Sequence, residues 1–381
     1  MKITALTTYP VPPRWMFLRI DTDAGISGWG EPIIEGRAAT VARAVDEMAS
    51  HLVGTDPRTV ERHWQLLTRG GFYRGGPILA SAVAGIDQAL WDILGKSLGV
   101  PIHQLLGGAV RDRIRIYGWI GGDDPVEVAD QAVQMREAGY TAVKMNGTGP
   151  QRPIGTAAET EALLHRVGSV REATGSDFDL AIDFHGRTSL PQARRLLQLL
   201  EPHHPLFVEE PVAPEYSAHL AAITSTTSIP IATGERLYSR WDFDMVMRAG
   251  IAVAQPDVSH AGGISEVRRI AAQAETYNVA LAPHCPLGPI ALAASLHVGA
   301  ASPNLLIQEH SLSIHYNDGA DMLDYLLDSS VFTHVDGFVA VPSGAGLGIE
   351  IDDKQVARMA EIGHDWQTPT WTRDDGSLAE W

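Results

Sequence analysis

The hydrophobic positions of the chain change their spacing along its length. In residues 1–35 short apolar runs alternate with turn-forming residues, which predicts two or three strands. From about residue 36 to 107 apolar residues recur at helical spacing, most clearly over residues 78–96, and Gly99 is placed to end that helix. The first part of the chain is therefore predicted to form an α+β unit.

A different pattern covers residues 114–309, where short apolar runs alternate with helix-like stretches. Such runs predict strands of a parallel sheet that is buried on both faces. Their spacing is close to the ~30 residues per βα unit of an eight-stranded barrel, so the pattern predicts a TIM-type barrel. The predicted strands are residues 114–119, 142–146, 179–184, 206–209, 230–235, 253–257, 279–284 and 305–309.

The alternation stops near residue 314. The remaining segment contains Trp366, Pro369 and Trp371, and we expect it to pack back on the N-terminal unit. The expected domains are an α+β capping domain (1–112), a barrel (113–315) and a C-terminal segment (316–381).

Composition limits the possible functions. The 381 residues are 45% hydrophobic and 20% charged, as in globular proteins. The formal net charge of −17 argues against a nucleic-acid partner, because phosphates would be repelled. No run approaches the ~18 apolar residues of a membrane span. Cys285 is the only cysteine, and the chain starts like a strand rather than a signal peptide, so we expect a cytoplasmic protein.

Three consecutive predicted strands end in acids, at Asp183, at Glu209 or Glu210, and at Glu235. The C-terminal ends of barrel strands converge on the axis, so these carboxylates are expected to lie together and to need a cation. Oxygen ligands without a nearby cysteine favour a hard ion, with Mg²⁺ preferred. Each acid alone could instead cap a helix or form an ion pair, but three in succession weaken that alternative.

Other strand ends carry groups suited to proton transfer. His185 stands two residues after Asp183, so on an extended strand both side chains would point the same way. Asp257 and His284 end adjacent strands and could pair, which would raise the basicity of the imidazole. Lys144 would place a positive charge near the metal. The plainer alternatives are a structural histidine, a helix-capping aspartate and a solvated lysine.

Together these groups predict a reaction type. A proton next to a carboxylate is very weakly acidic, because its removal creates a dianionic enediolate. A divalent cation and a lysine can stabilise that charge, and a histidine base near neutral pKa can take the proton. A second histidine can protonate a departing hydroxyl. The combination predicts elimination of water from a hydroxy acid.

These residues belong to motifs that are distributed over nearly the whole chain. On the basis of these motifs the sequence resembles the enolase superfamily, specifically its mandelate racemase branch. The histidine two residues after the first acid, together with Asn146, is the narrower feature and is similar to the sugar-acid dehydratases of that branch. The motifs are Pro12-Pro13-Arg14-Trp15-Met16-Phe17-Leu18, Gly28-Trp29-Gly30-Glu31-Pro32, Gly71-Phe72-Tyr73-Arg74-Gly75-Gly76-Pro77, Gly85-Ile86-Asp87-Gln88-Ala89-Leu90-Trp91-Asp92, Asp183-Phe184-His185-Gly186-Arg187, Pro283-His284-Cys285-Pro286-Leu287-Gly288-Pro289 and Ala379-Glu380-Trp381.

The resemblance implies a modified TIM barrel of the (β/α)7β type, with an α+β capping domain that the C-terminal tail completes. It implies one Mg²⁺ per subunit, held by Asp183, Glu209 rather than Glu210, and Glu235. It also implies dehydration of an aldonic acid, with D-galactonate as the expected substrate, by an enzyme that forms a homo-oligomer.

The resemblance further implies roles in catalysis. His284, oriented by Asp257, would remove the proton from C2, and His185 would protonate the leaving 3-hydroxyl. Lys144 and Glu309 would flank the substrate carboxylate, with Glu309 as an uncharged hydrogen-bond donor.

Four more residues are expected to contact the substrate. Asn146 stands where racemases of the branch carry a second lysine, so dehydration is favoured over racemisation. Arg14 and Trp15 lie in a capping-domain loop that closes over the barrel mouth in the family, with packing an equal alternative for Trp15. His310 replaces an expected glutamine at the pocket rim, where it could tune specificity.

Three other interpretations stay open. The first keeps the superfamily but assumes another aldonic acid, or epimerisation. The second is a Schiff-base aldolase that uses Lys144, which leaves the acids and histidines unexplained. The third is a non-catalytic barrel, which requires a broken site position that the sequence does not have.

Overall fold

The computed structural model describes residues 1–312, 314, 317 and 319–381. It begins with an antiparallel sheet in which the second strand lies between the first and the third. The predicted strands of residues 1–35 are thereby confirmed. They are β1 (Ile3–Val11), β2 (Trp15–Thr22) and β3 (Ser27–Gly30).

Helices follow the sheet and build the rest of the capping domain. They are α1 (Ala38–Ala49), α2 (Val60–Arg69), α3 (Pro77–Leu98) and α4 (Ile102–Leu105). The helix predicted over residues 78–96 is α3. Pro77 occupies its first turn, where a missing N–H is tolerated, and Gly99 ends it at a φ of 68°, which glycine adopts without a steric penalty.

By length and composition alone, α3 could cross a membrane. It is not a continuous apolar run, however, since Asp87, Gln88, Asp92 and Lys96 lie within it. In the folded protein 72% of the apolar window of α3 is buried, and the polar side chains of the helix bind the barrel. Burial of this kind is typical of the core helix of a globular protein.

The first predicted barrel strand, residues 114–119, is divided in two. β4 (Arg113–Arg115) pairs antiparallel with a late segment, Phe338–Ala340, outside the barrel. β5 (Gly118–Ile120) pairs parallel with the next barrel strand. Between them, Ile116 contacts both sheets, because it donates its N–H to the carbonyl of Gly337 and forms a bridge with Gln308 of the barrel.

The remaining strands form one parallel sheet in chain order with β5. Residues 305–308 close it, because Leu305 bridges to Leu281 and Gln308 bridges to Ile116. With this eighth segment the predicted TIM-type barrel is confirmed. Its other strands are β6 (Ala142–Asn146), β7 (Asp179–Asp183), β8 (Val208–Glu209), β9 (Ile231–Thr233), β10 (Val253–Ala254) and β11 (Ala280–Leu281).

A helix follows each strand from β5 to β11, which gives the (β/α)7β order. Side-chain oxygens of Asp124, Thr156, Ser189 and Ser239 cap four of these helices by accepting backbone N–H groups. The helices are α5 (Pro125–Glu137), α6 (Ala157–Thr174), α7 (Leu190–Leu200), α8 (Ala221–Thr224), α9 (Arg240–Arg248), α10 (Ile264–Thr276) and α11 (Pro289–Ala301).

The tail contacts the capping domain. Arg19 of β2 lies 3.1 Å from Asp353, and the His364 ring lies 3.0 Å from the carbonyl oxygen of Trp15. The predicted boundary between barrel and tail, at residues 315 and 316, lies outside the described residues. The elements of the tail are β12 (His334–Val335), β13 (Phe338–Ala340), α12 (Asp353–Ile362), β14 (Trp371–Thr372) and β15 (Leu378–Ala379). Short 3₁₀ turns occupy Glu201–His203, Pro214–His219, Met322–Tyr325 and Ser329–Phe332.

Buried polar groups join the capping domain to the barrel. The Glu31 carboxylate accepts the N–H groups of Gly288 and Ala291 at the start of α11, at 2.7 and 3.0 Å. Gln88 of α3 donates to the carbonyl oxygen of Val258 at 3.0 Å. Since these partners lie in the segments that follow β10 and β11, these bonds help to fix the position of the capping domain relative to the strand ends.

The close packing of β3 on α3 depends on glycine. A Cβ at Gly30 would overlap the carbonyl oxygen of Gly85 in α3. We therefore expect Gly30→Ala to destabilise the protein by about 1–3 kcal/mol, the usual cost of overpacking, measured as a lower midpoint of unfolding. Gly149→Ala is the control, since a Cβ there meets nothing within 4 Å. Equal stability of the two variants would contradict this packing.

Candidate active site

The C-terminal ends of the barrel strands open into a cavity of about 540 Å³. The barrel, the capping domain and the tail all contribute to its wall, and its volume is typical of a small-molecule site. The predicted site residues that line it are Arg14, Lys144, Asn146, Asp183, His185, Glu235, His284 and Glu309.

Three acids lie together at this cavity, and two of them, Asp183 and Glu235, line it. Ligand oxygens of Asp183, Glu209 and Glu235 lie within 4.8 Å of one another. Burial and the neighbouring carboxylates raise the pKa of Glu209 to about 8 and that of Glu235 well above its usual value. Oε1 of Glu209 finds no hydrogen-bond partner among the described residues. An all-oxygen donor set with repelling charges and an unsatisfied oxygen fits a hard divalent cation.

The choice between Glu209 and Glu210 is decided by the backbone. The chain turns at Glu210, whose φ is 39°, and its carboxylate forms an ion pair with Arg236. Nε of Arg236 also donates to Glu210 at 3.2 Å. Glu210 is therefore paired with Arg236, and Glu209 is the glutamate whose oxygen lies together with those of Asp183 and Glu235.

Lys144 is fully buried among the acids. Its Nζ lies 2.7 Å from Glu209, 2.9 Å from Glu309 and 3.7 Å from Asp183. It also lies 5.0 Å from the ring centre of Trp119. Burial opposes the charged form, but the carboxylates raise the pKa of Lys144 well above its usual value. The side chain is therefore an ammonium ion that faces the predicted metal site.

His284 and Asp257 form the expected pair. Nδ1 of His284 lies 2.8 Å from the Asp257 carboxylate, so Nδ1 carries the proton and Nε2 faces the cavity. Nε2 lies 3.3 Å from Glu235 and 4.0 Å from Glu309. Burial favours the neutral imidazole, but Glu235, Glu309 and Asp257 together raise the pKa of His284 well above its usual value.

His185 reaches the acid group by a turn. We expected an extended strand to place it beside Asp183, but β7 ends at Asp183 and His185 has a φ of 48°. The Asp183 carboxylate holds the turn by accepting the His185 N–H at 2.7 Å, and Nε2 of His185 lies 3.2 Å from the same carboxylate. Burial lowers the pKa of His185 to about 4, against the opposing effect of Asp183.

Both carboxylate oxygens of Glu309 accept hydrogen bonds from neighbouring groups. One carboxylate oxygen accepts the Trp119 indole N–H at 2.7 Å, and the other accepts the Cys285 N–H at 2.8 Å. Burial opposes ionisation, but Lys144 and His284 lower the pKa of Glu309 to about 2. Both oxygens therefore already accept hydrogen bonds, whereas the resemblance implied an uncharged donor, and the protonation state of Glu309 in catalysis stays a prediction.

Asn146 and Arg14 line the cavity from opposite domains. Asn146 ends β6, and its Oδ1 has no hydrogen-bond partner among the described residues. Arg14 lies in the capping domain, where it pairs with Glu35 at 3.1 Å and donates to the carbonyl oxygen of Pro286 at 3.0 Å. Both residues therefore line the cavity, but the guanidinium of Arg14 is already bound by protein groups.

Two predicted substrate contacts do not line the cavity. Trp15 is fully buried in the capping domain, where its ring lies 6.4 Å from that of Phe17 and 6.0 Å from that of Tyr325. His310 stacks on Tyr140 at 5.6 Å. It follows Glu309 directly, and successive side chains of an extended segment face opposite sides. Trp15 is a packing residue, and His310 lies outside the cavity.

Several cavity residues were not predicted. His260 lies 3.7 Å from Asp257 and 3.6 Å from Glu35 of the capping domain. Its position three residues after Asp257 was a usable signal, because one helical turn brings such side chains together. Glu35 gave no signal, since it lies far from the barrel in sequence. Other unpredicted lining residues are Trp119, Arg187, Arg236, Tyr238, Trp366, Trp371 and Trp381.

The chain matches two family models and full-length relatives. Residues 3–107 match the mandelate racemase / muconate lactonizing enzyme N-terminal domain, and residues 127–355 match the enolase C-terminal domain-like family. The chain is 53% identical over 382 residues to D-galactonate dehydratases of Xanthomonas euvesicatoria pv. vesicatoria (strain 85-10) and Ralstonia nicotianae (strain ATCC BAA-1114 / GMI1000), with 100% of both chains covered.

Solved structures resemble the chain over the same extent. An enolase from Agrobacterium radiobacter, solved with bound Na and L-malate, has a TM-score of 0.92 and 31% identity, and all of both chains is covered. A mandelate racemase/muconate lactonizing enzyme from Jannaschia sp. CCS1 has a TM-score of 0.89 and 30% identity over 97% of this chain and 100% of its own. The similarity therefore includes the capping domain, the barrel and the tail.

The acid group predicts a cation site that distinguishes neighbouring glutamates. Glu209→Gln should weaken binding of Mg²⁺ strongly, because a charged ligand is lost, whereas Glu210→Gln should retain it. Calorimetric titration measures the affinity directly. A saturating cation should also raise the unfolding midpoint of the wild type and of Glu210→Gln, by about 2.7 kcal/mol of stability at 100 times Kd. If Glu210→Gln lost Mg²⁺ binding and Glu209→Gln retained it, the assignment of Glu209 to the cation site would be contradicted.

Proposed function

The chain belongs to the mandelate racemase / muconate lactonizing enzyme family of the enolase superfamily, and from this membership we propose that it is a hydro-lyase that converts D-galactonate to 2-dehydro-3-deoxy-D-galactonate with Mg²⁺. The observation that carries the proposal is the meeting of Lys144, the acid group and two histidines in one cavity. The 53% identity to D-galactonate dehydratases supports the choice of substrate.

Asp183, Glu209 and Glu235 hold one Mg²⁺ per subunit in this proposal. Their oxygens are close enough to share an ion and are arranged by three successive strand ends. When bound, Mg²⁺ supplies positive charge that stabilises the anion developing on the substrate carboxylate and offsets the acids that raise the pKa of His284.

Lys144 binds the substrate carboxylate from the other side. Its ammonium group is already ordered by Glu209 and Glu309. Because it does not need to reorient during the reaction, it can stabilise the enediolate at little cost. The same contacts disfavour the Schiff-base alternative, since an amine nucleophile must be neutral and these acids hold Lys144 protonated.

His284 removes the proton from C2. Asp257 fixes its tautomer, so that Nε2 is the basic atom and faces the cavity. Asn146 stands where a racemase would place a lysine base, and an amide cannot return a proton to the other face of the enediolate. This favours departure of a group from C3 over inversion at C2.

His185 protonates the departing 3-hydroxyl. It lines the cavity next to Asp183, and its ring stacks on Trp119 with centroids 6.2 Å apart, which fixes its plane. An acid must hold a proton, so His185 acts in its imidazolium form, which a bound anionic substrate favours. Loss of water then gives an enol that becomes the 2-keto-3-deoxy acid.

Replacing the acid should separate the two halves of the reaction. His185→Asn should lower dehydration of D-galactonate by about 10²-fold or more, the usual contribution of a general acid. Exchange of the C2 proton with solvent deuterium should continue, because His284 is intact. Product is measured with semicarbazide, and exchange is measured by proton NMR.

The controls are His284→Asn, which should lose both activities, and EDTA, which should abolish turnover of the wild type. Turnover of another aldonic acid alone would keep the mechanism and change the substrate. Absence of dehydration with every aldonic acid, when Mg²⁺ is shown to bind, would exclude the dehydratase function.

We also propose that the chain assembles with copies of itself. Phe72 and Tyr73 are 91% and 88% exposed in a glycine-flanked loop, and large apolar side chains in such a patch are typical of contact surfaces. The loop flanks a second cavity of about 470 Å³, lined by Trp64 and Trp241, which a partner copy could fill.

Light scattering after size exclusion should give a multiple of the 41.1 kDa chain mass. The double variant Phe72→Ser with Tyr73→Ser should dissociate towards the monomer. Val126→Ser, which also replaces an exposed apolar residue, should not. A monomeric wild type would contradict this proposal.

A further inference from the structure

The C-terminal tail forms one wall of the cavity, and none of the proposed catalytic steps uses it. Trp366, Trp371 and Trp381, called here the tail tryptophans, all line the cavity. The Trp381 ring lies 6.0 Å from that of Trp366 and 6.5 Å from that of Trp371, edge-on in both cases. Trp381 therefore joins the other two rings into one aromatic surface.

Two arginines hold the ends of this surface on different domains. The guanidinium of Arg14, in the capping domain, lies 5.7 Å from the ring centre of Trp366. The guanidinium of Arg187, in the loop after β7, lies 4.6 Å from that of Trp371. Cation–π contacts at these distances are attractive. The tail tryptophans thus bridge the capping domain and the barrel above the strand ends.

The hairpin of β14 and β15 gives the tail a second attachment to the barrel. Arg373 donates to the carbonyl oxygen of Gln151 at 2.9 Å, and Arg152 lies 3.2 Å from Asp374. Both barrel partners belong to the loop after β6. Because this loop lies beyond the strand end, the hairpin covers the mouth of the cavity rather than its floor.

We propose that the tail tryptophans bind the far end of the aldonic acid, from C4 to C6. This rests on the proposed function, which places the substrate carboxylate at the floor, between Lys144 and the acid group. A six-carbon chain held there by one end must extend its other end towards the mouth, where the tail lies. Indole rings present a broad apolar area to the C–H groups of such a chain and exclude water.

The test compares long and short substrates. Trp381→Ala should raise KM for D-galactonate about tenfold, which corresponds to about 1.4 kcal/mol of lost binding. The kcat should change little, since the reacting groups are untouched. A four-carbon aldonic acid with the same configuration at C2 and C3 does not reach the tail, so its kcat/KM should stay the same.

Two variants separate binding from folding. Leu378→Ala changes a 69% exposed residue of the same hairpin outside the cavity wall, and it should behave as the wild type. Trp381→Phe keeps an aromatic ring and should recover most of the affinity. Equal losses for the four-carbon and six-carbon acids, or a fall in kcat alone, would overturn the proposal.

Calorimetric binding of D-galactonate to His284→Asn tests the tail without turnover. If the double variant His284→Asn with Trp381→Ala binds D-galactonate more weakly than His284→Asn, the tail site is supported. This holds even if the wild type dehydrates no aldonic acid, and only the proposed reaction then fails. Unchanged binding, with normal turnover by the wild type, would reject the tail site and keep the reaction.

Discussion

Buried charge at the barrel axis is the constraint on which the rest of the structure depends. Lys144 lies within 4 Å of three carboxylates, those of Asp183, Glu209 and Glu309, and Glu235 adds a fourth acid to the group. One ammonium ion cannot balance four carboxylates, and burial together with the neighbouring carboxylates raises the pKa values of Glu209 and Glu235, so full ionisation of the group is disfavoured. Such an arrangement is costly unless a further cation binds. The burial that makes the acid group unstable by itself is thus what suits it to hold the proposed divalent ion.

The barrel gives these charges fixed positions because each comes from a different strand end. Backbone and indole N–H groups hold the acid that does not join the metal group, since Trp119 and Cys285 donate to the two oxygens of Glu309. The Trp119 donor is a buried side chain of β5, and the Cys285 donor belongs to the backbone after β11. Rigid dipoles of this kind stabilise charge that appears during a reaction without reorganisation. In the proposed mechanism the reacting groups therefore all come from the barrel, and the capping domain and the tail contribute to the cavity wall.

Periodic features of this protein could be predicted from its sequence, whereas features that depend on distant contacts could not. Alternating runs identified the barrel strands, and strand ends must converge, so the acids and His284 were found together. The two-residue period of strand side chains no longer predicts side-chain direction beyond the end of a strand. His185 reaches Asp183 through a left-handed turn, and His310 faces away from the cavity. Trp381 joins the wall by contacts that no local pattern encodes. Long-range contacts of the tail required the folded structure.

The capping domain also reaches the predicted base through a line of charges. Arg14 pairs with Glu35 at 3.1 Å, Glu35 lies 3.6 Å from His260, and His260 lies 3.7 Å from Asp257, which holds His284 at 2.8 Å. Basic and acidic side chains alternate along this line, so each one stabilises the charge of the next in a medium of low dielectric. Burial favours the neutral form of His260, but Asp257 and Glu35 outweigh this effect and raise the pKa of His260. Removing the capping domain would leave His260 without Glu35 and weaken the partner of Asp257, so orientation of the base depends on both domains.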